Sequence, residues 1–293
     1  MSKRIAVVGV GLMGTSLVRH LLAADFSVTV HDVDSAKVEA IVKEGAKKAD
    51  SPDRIASQVD VIMLSLPNSH IVNEVVKDTL RLFETGKKGL VVIDTSTPDP
   101  EMSAQLAAQL RQKGIEMLDA TISGTSEMFV EKDAIFLVGG KQEVFKACEP
   151  IFSVMSKHAF RMGDNGAGAM TKLVANLVLT LNRMALAEGL TLAKKAGLDR
   201  LQTLEVLKKS AAYSKAMDQK GLRMVNKQFL PPASRLSSSY KDARLILALG
   251  ARLDCPLPLI SLTVQAMASE VSKGRKDWDP ATLISFYDEL ANL

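Results

Sequence analysis

The sequence predicts an α/β protein whose N-terminal half forms a doubly wound parallel sheet and whose C-terminal half is all helical. From residue 4 to about residue 140, short apolar runs alternate with segments of helical spacing, which is the pattern of βαβ units. After Gly163 the alternation ends, and residues 167–196 form a long apolar segment without a strong helix breaker. These two observations predict two domains joined by one long helix.

The individual elements follow from the same patterns. We expect a sheet domain over residues 1–164 and a helical domain over residues 165–293, joined by a helix over residues 165–196. Apolar runs predict strands at 4–8, 26–31, 59–66, 90–93, 115–118 and 134–138. Helical spacing between turn residues predicts helices at 16–24, from 35, and at 69–83, 100–113, 201–210, 214–225, 240–253, 257–273 and 280–291.

Composition and charge narrow the class of protein. The 293 residues are 47% apolar and 24% charged, which is typical of a soluble protein. The net charge of +4 is spread along the chain with few aromatic residues, so nucleic acid is not an expected partner. Cys148 and Cys255 form no framework, and the histidines show no metal-ligand spacing, so no metal is expected. The chain enters a strand directly and has no apolar run of about 18 residues, so we expect a cytoplasmic protein without a membrane partner.

A glycine-rich turn follows the first predicted strand. Gly9-Val-Gly11-Leu12-Met13-Gly14 lies between that strand and a helical segment, the context in which G-x-G-x-x-G indicates dinucleotide binding. Gly9 allows a tight turn, Gly11 lets the backbone approach a pyrophosphate, and Gly14 lets helix and strand pack closely. The phosphates would rest on the amides that open the helix, at Leu12 and Met13. The sequence therefore predicts a Rossmann domain.

An acidic residue follows the second predicted strand. Asp32 comes 18 residues after Gly14, where a carboxylate binds the ribose hydroxyls and repels a 2′-phosphate. No arginine follows until Arg54, so an obvious clamp for a 2′-phosphate is missing. We therefore expect NAD as the cofactor, in preference to NADP. Asp34 either shares the role of Asp32 or caps the helix that begins near residue 35.

Two further strands end in short polar turns. Leu66-Pro67-Asn68 closes the strand at 59–66, and Ser96-Thr97 follows the strand at 90–93. Because ligands bind doubly wound sheets at the carboxyl ends of the strands, these residues are candidates for contact with the cofactor. Ordinary turn chemistry is the alternative for each of them.

The long helix carries two polar residues on one face. Lys172 and Asn176 are four residues apart, so they lie one helical turn apart among leucine, valine, alanine and methionine. Burial of Lys172 would lower its pKa toward the range that suits proton transfer. The alternative is that Lys172 extends to water and Asn176 caps a neighbouring loop.

Taken together, these motifs resemble the β-hydroxyacid dehydrogenase family, which includes 3-hydroxyisobutyrate dehydrogenase, tartronate semialdehyde reductase and, more distantly, 6-phosphogluconate dehydrogenase. Gly9–Gly14 is similar to the family's dinucleotide motif, and Asp119–Thr125 to its substrate motif D-x-P-V-S-G-G. Gly163–Asn176 is similar to the catalytic motif, and Lys241-Asp242 to a pair in the helical domain. The resemblance covers nearly the whole chain.

The resemblance implies reversible hydride transfer between a nicotinamide cofactor and a small anionic hydroxy acid or its semialdehyde. It assigns Lys172 as the general acid/base and Asn176 as a hydrogen-bond donor to the substrate. It also implies that Ser123, with the backbone amides of Gly124 and Thr125, holds the acidic group of the substrate.

The same resemblance extends to the cofactor and to assembly. Lys241 would place a charge beside the nicotinamide or the substrate. Ser96 or Thr97 and the backbone of Pro67-Asn68 would border the nicotinamide ribose. Relatives assemble through the helical domain, so the resemblance implies a homodimer or homotetramer.

The substrate loop departs from the family pattern. Thr121 stands at the family's proline, and Thr125 stands at its second glycine. A side chain at Thr125 narrows the space near the substrate, while its hydroxyl offers another donor. The hydroxyl-rich loop also resembles sulfolactaldehyde reductases, although Gly124 stands where their arginine is expected. Reduction of sulfolactaldehyde or succinic semialdehyde is therefore the alternative activity, and a non-catalytic NAD-binding protein is a further alternative.

Overall fold

The structure is a computed structural model that describes residues 3–293. The chain divides into two compact units, the first ending at Lys172 and the second running from Leu173 to Leu293. The first unit contains a sheet covered by helices, and in the described residues of the second unit all regular structure is helical.

In the part of the chain that the structure describes, the first unit contains an eight-stranded sheet. Its strand order is β3-β2-β1-β4-β5-β6-β7-β8, which is that of a doubly wound sheet with additional strands at one side. The strands are β1 (Arg4–Val8), β2 (Ser27–His31), β3 (Lys47–Lys48), β4 (Val61–Leu64), β5 (Val91–Asp94), β6 (Glu116–Ser123), β7 (Ile135–Gly139) and β8 (Ala159–Gly163).

The predicted fold class is confirmed, with one correction to the sheet. β7 runs antiparallel to β6, whereas β1 to β6 are mutually parallel and β8 is parallel to β7. The connection from β6 to β7 spans only residues 124–134, which is too short for the crossover that a parallel neighbour needs. The sheet is therefore mostly parallel.

Helices cover both faces of this sheet. They are α1 (Leu12–Leu22), α2 (Ser35–Val42), α3 (Ile55–Gln58), α4 (Ser69–Glu74), α5 (Leu82–Thr85), α6 (Pro100–Arg111), α7 (Ser126–Val130) and α8 (Gln142–Ser153). The single helix expected at 69–83 is instead α4, a π-helical turn at Val75–Thr79 and α5. Arg81 separates the last two with φ +50°, a left-handed conformation that an α-helix does not continue through.

The core of the first unit lies in two layers, one on each face of the sheet. Ile5 and Val7 pack into one layer, while Ala6 and Val8 pack into the other. Because side chains alternate along a strand and both faces are covered, the strand is apolar throughout. This packing fixes β1, and with it the glycine turn that follows.

The second unit is a bundle around the long helix. The helices are α9 (Ala167–Lys195), which begins in the first unit, α10 (Arg200–Lys209), α11 (Lys215–Val225), α12 (Leu236–Arg252), α13 (Pro258–Ser272) and α14 (Leu283–Leu290). By length and composition alone α9 could cross a membrane, contrary to the expectation that no such stretch exists. Leu173 and Met184 of α9 nevertheless pack in the apolar core of the helical unit, and a core helix passes the same test.

Candidate active site

The glycine turn after β1 has a separate steric reason at each glycine. Gly9 has φ +91°, and a Cβ there would lie 2.3 Å from the carbonyl oxygen of Ser65. A Cβ on Gly14 would lie 1.8 Å from the carbonyl oxygen of Gly9, so the helix can approach the strand only without a side chain. A Cβ on Gly11 would meet nothing within 4 Å. The space beside Gly11 is open, as a site for a phosphate group requires.

The N-terminus of α1 faces this open space without a side-chain cap. The N-cap residue is Gly11, which as a glycine has no side chain that could accept a hydrogen bond from the helix amides. The side chain of Leu12 is 77% exposed, whereas Met13 packs against the core of the sheet unit. Uncapped amides and the positive end of the helix dipole suit a pyrophosphate, so these residues fit a dinucleotide.

Asp32 organises the loop after β2. Its Oδ2 accepts a hydrogen bond from the amide of Val10 at 2.7 Å, and its Oδ1 accepts one from the amide of Asp34 at 2.9 Å. Each carboxylate oxygen has a second lone pair, so capacity for ribose hydroxyls remains. Asp34 caps α2 by accepting from the amide of Ala36 at 3.1 Å. Burial lowers the pKa of His31, which Asp32 partly offsets by raising it.

The predicted turn residues lie at the carboxyl ends of β4 and β5. Ser96 is buried, and its hydroxyl accepts from the amide of Leu66 at 3.0 Å, which joins the two turns. The side chain of Asn68 caps α4 by accepting from the amide of Ile71 at 3.1 Å, so its side chain has a structural role. Pro67 is exposed and Thr97 is half-buried.

The substrate loop at the end of β6 is shaped by Gly124 and Thr125. Gly124 has φ +154°, and a Cβ there would lie 2.6 Å from Cβ of Ala134. The hydroxyl oxygen of Thr125 accepts from the amide of Met128 at 3.2 Å and so caps α7. Capping α7 is a structural role of Thr125 that the sequence did not predict. Its hydroxyl hydrogen is still available for donation to a ligand. Ser123 is half-buried at the end of the strand.

Thr121 fills the position of the family's proline deep inside the sheet unit. It is fully buried, and its hydroxyl lies 3.4 Å from the carbonyl oxygen of Leu137 and 3.3 Å from that of Gly168. A hydroxyl has a single hydrogen to share between these two acceptors. This contact ties β6 to the first turn of α9.

Asp119 holds the N-terminus of the long helix, a role that the sequence interpretation missed. The residue is fully buried, with Oδ1 accepting from the amide of Gly166 at 2.8 Å and Oδ2 from the amide of Ala169 at 2.9 Å. Burial raises the pKa of Asp119, and the backbone amides that it accepts from lower it. The aspartate of the D-x-x-x-S-G motif thus fixes the start of the helix that carries Lys172.

Lys172 and Asn176 occupy successive turns of α9, as expected. Lys172 is 8% exposed, and Asn176 is half-buried. The side-chain amide of Asn176 donates to Oδ2 of Asp242 at 2.9 Å, while Nζ of Lys241 lies 3.2 Å from Oδ1 of the same carboxylate. Asp242 therefore orients Asn176, and the family's lysine–aspartate pair reaches the helix through this contact.

The candidate residues thus form two groups. The proposed cofactor residues of the sheet unit share one edge, since β1, β2, β4 and β5 are parallel and their carboxyl ends meet there. Within the helical unit, Asp242 is joined to Asn176 by a hydrogen bond and to Lys241 by an ion pair. Across residues 3–293 there is no cluster of three or more His, Cys, Asp or Glu side chains able to hold a metal ion.

Two family models match the chain. The NAD-binding domain of 6-phosphogluconate dehydrogenase matches residues 4–163. The domain described as NAD-binding of NADP-dependent 3-hydroxyisobutyrate dehydrogenase matches residues 166–287. Both halves of the chain are therefore similar to dehydrogenase domains that use a nicotinamide cofactor.

Individual proteins match over nearly their full length. The 2-(hydroxymethyl)glutarate dehydrogenase of Eubacterium barkeri is 30% identical over 292 residues, with 100% of this chain and 97% of that protein covered. Glyoxylate/succinic semialdehyde reductase 1 of Arabidopsis thaliana is 30% identical over 280 residues, with 96% of each covered. A structure of Mycobacterium tuberculosis 3-hydroxyisobutyrate dehydrogenase with L-serine has a TM-score of 0.88 at 24% identity, covering 97% of this chain and 99% of that one. The last similarity shows the shared fold.

Proposed function

Since the chain belongs to the β-hydroxyacid dehydrogenase family and is a dehydrogenase that acts on a hydroxyl group with NAD(P), we propose that it interconverts a small 3-hydroxy acid and its semialdehyde with NAD. The substrate belongs to the 3-hydroxyisobutyrate or glycerate type. Lys172 is the general acid/base.

The cofactor is held by the strand ends of the sheet unit. The open backbone at Gly11 and the uncapped amides of α1 take the pyrophosphate, and Asp32 takes the adenine-side ribose. When bound, the nicotinamide dinucleotide supplies hydride chemistry. The carboxylate of Asp32 repels a 2′-phosphate, which supports NAD in preference to NADP.

Substrate binding is assigned to two sets of polar groups. Ser123 and the amides of Gly124 and Thr125 hold the acidic group, because successive backbone amides suit an anion. Asn176 donates to the reacting oxygen, with its side chain fixed by the hydrogen bond to Asp242. A fixed donor loses little entropy when the substrate binds.

The observation that carries the proposal is the place of Lys172 on α9. Its side chain is only 8% exposed and lies one turn before Asn176. In the oxidation direction, Nζ accepts the hydroxyl proton as the carbon gives up a hydride; in reduction the same ammonium returns the proton to the oxygen. Asp119 fixes the start of the helix and so contributes to the position of Lys172.

The direct test is a substrate panel followed by nicotinamide absorbance in both directions with NAD(H) and NADP(H). The panel contains 3-hydroxyisobutyrate, 3-hydroxypropionate, glycerate, tartronate semialdehyde, 2-(hydroxymethyl)glutarate, succinic semialdehyde and sulfolactaldehyde. The proposal expects the highest kcat/KM with a 3-hydroxy acid or its semialdehyde, and with NAD. A preference for sulfolactaldehyde or succinic semialdehyde would support the alternative substrates. Cofactor binding without turnover of any compound would contradict an enzymatic role on small acids.

A further inference from the structure

The two edges of the sheet in the first unit differ in character. β3 forms one edge with only two residues, Lys47 and Lys48, which are both exposed. Short strands and lysine side chains protect an edge against pairing with another chain. β8 forms the other edge with five residues, which include exposed Phe160 and Met162. One edge of the sheet is therefore protected, and the other presents apolar side chains to solvent.

The backbone of β8 directs hydrogen-bonding groups outward from the sheet. The register pairs Ala159 with Phe136 and Arg161 with Val138 of β7. The carbonyl oxygen of His158 accepts from the amide of Phe136 at 3.1 Å. In a parallel ladder, a β7 residue bonds to the two neighbours of its partner, so the N–H and C=O groups of Ala159 and Arg161 point away from β7. Within residues 3–293 no further strand lies beyond β8, so these groups can pair with a strand of another chain.

The side chains of β8 divide between a core face and an exposed face. Ala159 packs against the core of the sheet unit. On the exposed face, Phe160 is 48% exposed and Met162 is 46% exposed. The exposed ring of His158 stacks on the ring of Phe160, with the two centroids 5.9 Å apart. The outward backbone groups are thus flanked by an apolar and aromatic surface.

We propose that β8 pairs antiparallel with β8 of a second copy of this chain, around a twofold axis at Phe160. In this register Ala159 of each copy lies opposite Arg161 of the other, and the two residues exchange backbone hydrogen bonds. The two Phe160 rings face each other as an aromatic cross-strand pair, and the ring of His158 continues the stack in each copy. An axis at Arg161 would instead place two arginines opposite each other, which like charge disfavours.

Two features of the sheet limit this contact to a pair of copies. The ladder between β7 and β8 becomes irregular after Arg161, at the step from Val138 to Gly139, so the regular stretch of β8 is short. A twofold contact occupies the β8 edge of both copies, and the outer edges that remain are the two lysine-bearing β3 strands. Because a short stretch buries little area, we expect a dissociation constant in the micromolar range. The inference is independent of the proposed function.

Sedimentation of the full chain across the micromolar range tests the inference. Where wild type is fully associated, we expect Phe160→Lys to have half the wild-type mass, because two ammonium groups would face each other at the axis. The halving is expected for a wild-type dimer and also for a tetramer with a second interface in the helical unit. Val130→Lys adds the same charge at an exposed position of α7. This variant is the matched control and should keep the wild-type mass.

A variant without added charge tests the aromatic pair separately. Phe160→Thr keeps a residue that suits an exposed strand position and removes the ring. It should raise the dissociation constant about 3- to 10-fold, the range for an aromatic pair. Thermal denaturation followed by circular dichroism should give the wild-type midpoint for both variants, since the side chain at position 160 is exposed.

A mixture of two charge variants tests the position of the axis. Phe160→Glu alone should also have half the wild-type mass. An equal mixture of Phe160→Glu and Phe160→Lys should recover the wild-type mass, because opposite charges then face each other across the axis. A monomeric wild type, an unchanged mass in Phe160→Lys, or a mixture that stays dissociated would overturn the inference.

Discussion

Asp32 holds two amides of the cofactor loop at the same time, which gives it a structural task beside its proposed recognition of ribose. The amide of Val10 places the start of the glycine turn, and the amide of Asp34 places the start of α2. Both contacts orient the carboxylate toward the strand ends. A single side chain thus links the geometry of the loop to the proposed choice of cofactor.

This dual role predicts the behaviour of two neighbouring variants. Asp32→Ala should weaken binding of NAD relative to NADP by about tenfold or more, since it removes charge-assisted hydrogen bonds and the repulsion of a 2′-phosphate. Asp34→Ala removes the cap of α2 and should cost about 0.5–2 kcal/mol of stability with the cofactor ratio unchanged. Fluorescence titration with NADH and NADPH measures the ratio. An unchanged ratio in Asp32→Ala would refute the assignment.

The positions of residues were predictable from sequence where the reason is local. Gly9 and Asp32 stand at fixed offsets from a strand end, and a strand end is readable from the apolar pattern. The structural role of Asp119 could not be predicted, because the amides of Gly166 and Ala169 that it accepts from are distant in sequence. These amides reach Asp119 only when β6 packs against the first turn of α9.

At the scale of elements, the contact between β1 and α1 depends on glycine for two different reasons. Gly14 has no room for a Cβ, because the carbonyl oxygen of Gly9 would lie 1.8 Å away. Gly11 has space for a Cβ and a φ of −70°, which any residue adopts. One glycine therefore serves packing and the other leaves space for a ligand.

These two glycines make a matched pair of variants. Gly14→Ala should lower the free energy of unfolding by about 1–3 kcal/mol or more, because α1 must move away from β1. Gly11→Ala should fold with near wild-type stability and bind NADH more weakly, because its methyl group occupies the space proposed for the pyrophosphate. Urea denaturation and NADH titration of both proteins separate the effects. Normal NADH affinity in Gly11→Ala would count against a phosphate site there.

The elements that sequence patterns predicted best are the long and strongly periodic ones. The predicted bounds of β1 and α9 agree closely with the observed ones, because β1 is a continuous apolar run and α9 is 29 residues long. The sequence did not predict β8, because its half-buried positions alternate with exposed Phe160 and Met162 and no continuous apolar run marks the strand. The reversal of β7 also has no local signal, because strand direction is set by the length of the connection and the packing around it.

The chain combines a domain of the NAD-binding type with a helical unit that contains Asn176 and the buried pair of Lys220 and Asp279. The cytoplasmic location, the homodimeric or homotetrameric state and the absence of membrane or nucleic-acid partners stay predictions. The family and the fold were predictable because four motifs recur in the same order along one chain. The choice of substrate was not predictable, because selectivity between similar small acids depends on a few contacts that tertiary packing sets.

The central claim is that Lys172 transfers the proton during hydride exchange, and single-turnover kinetics of Lys172→Ala test it most directly. The variant, saturated with cofactor and with the best substrate of the panel, should show a hydride-transfer rate about 10²- to 10⁴-fold below wild type, with cofactor affinity retained. Lys194→Ala, which removes an exposed lysine near the end of the same helix, should keep the wild-type rate. A near wild-type rate in Lys172→Ala would contradict the account.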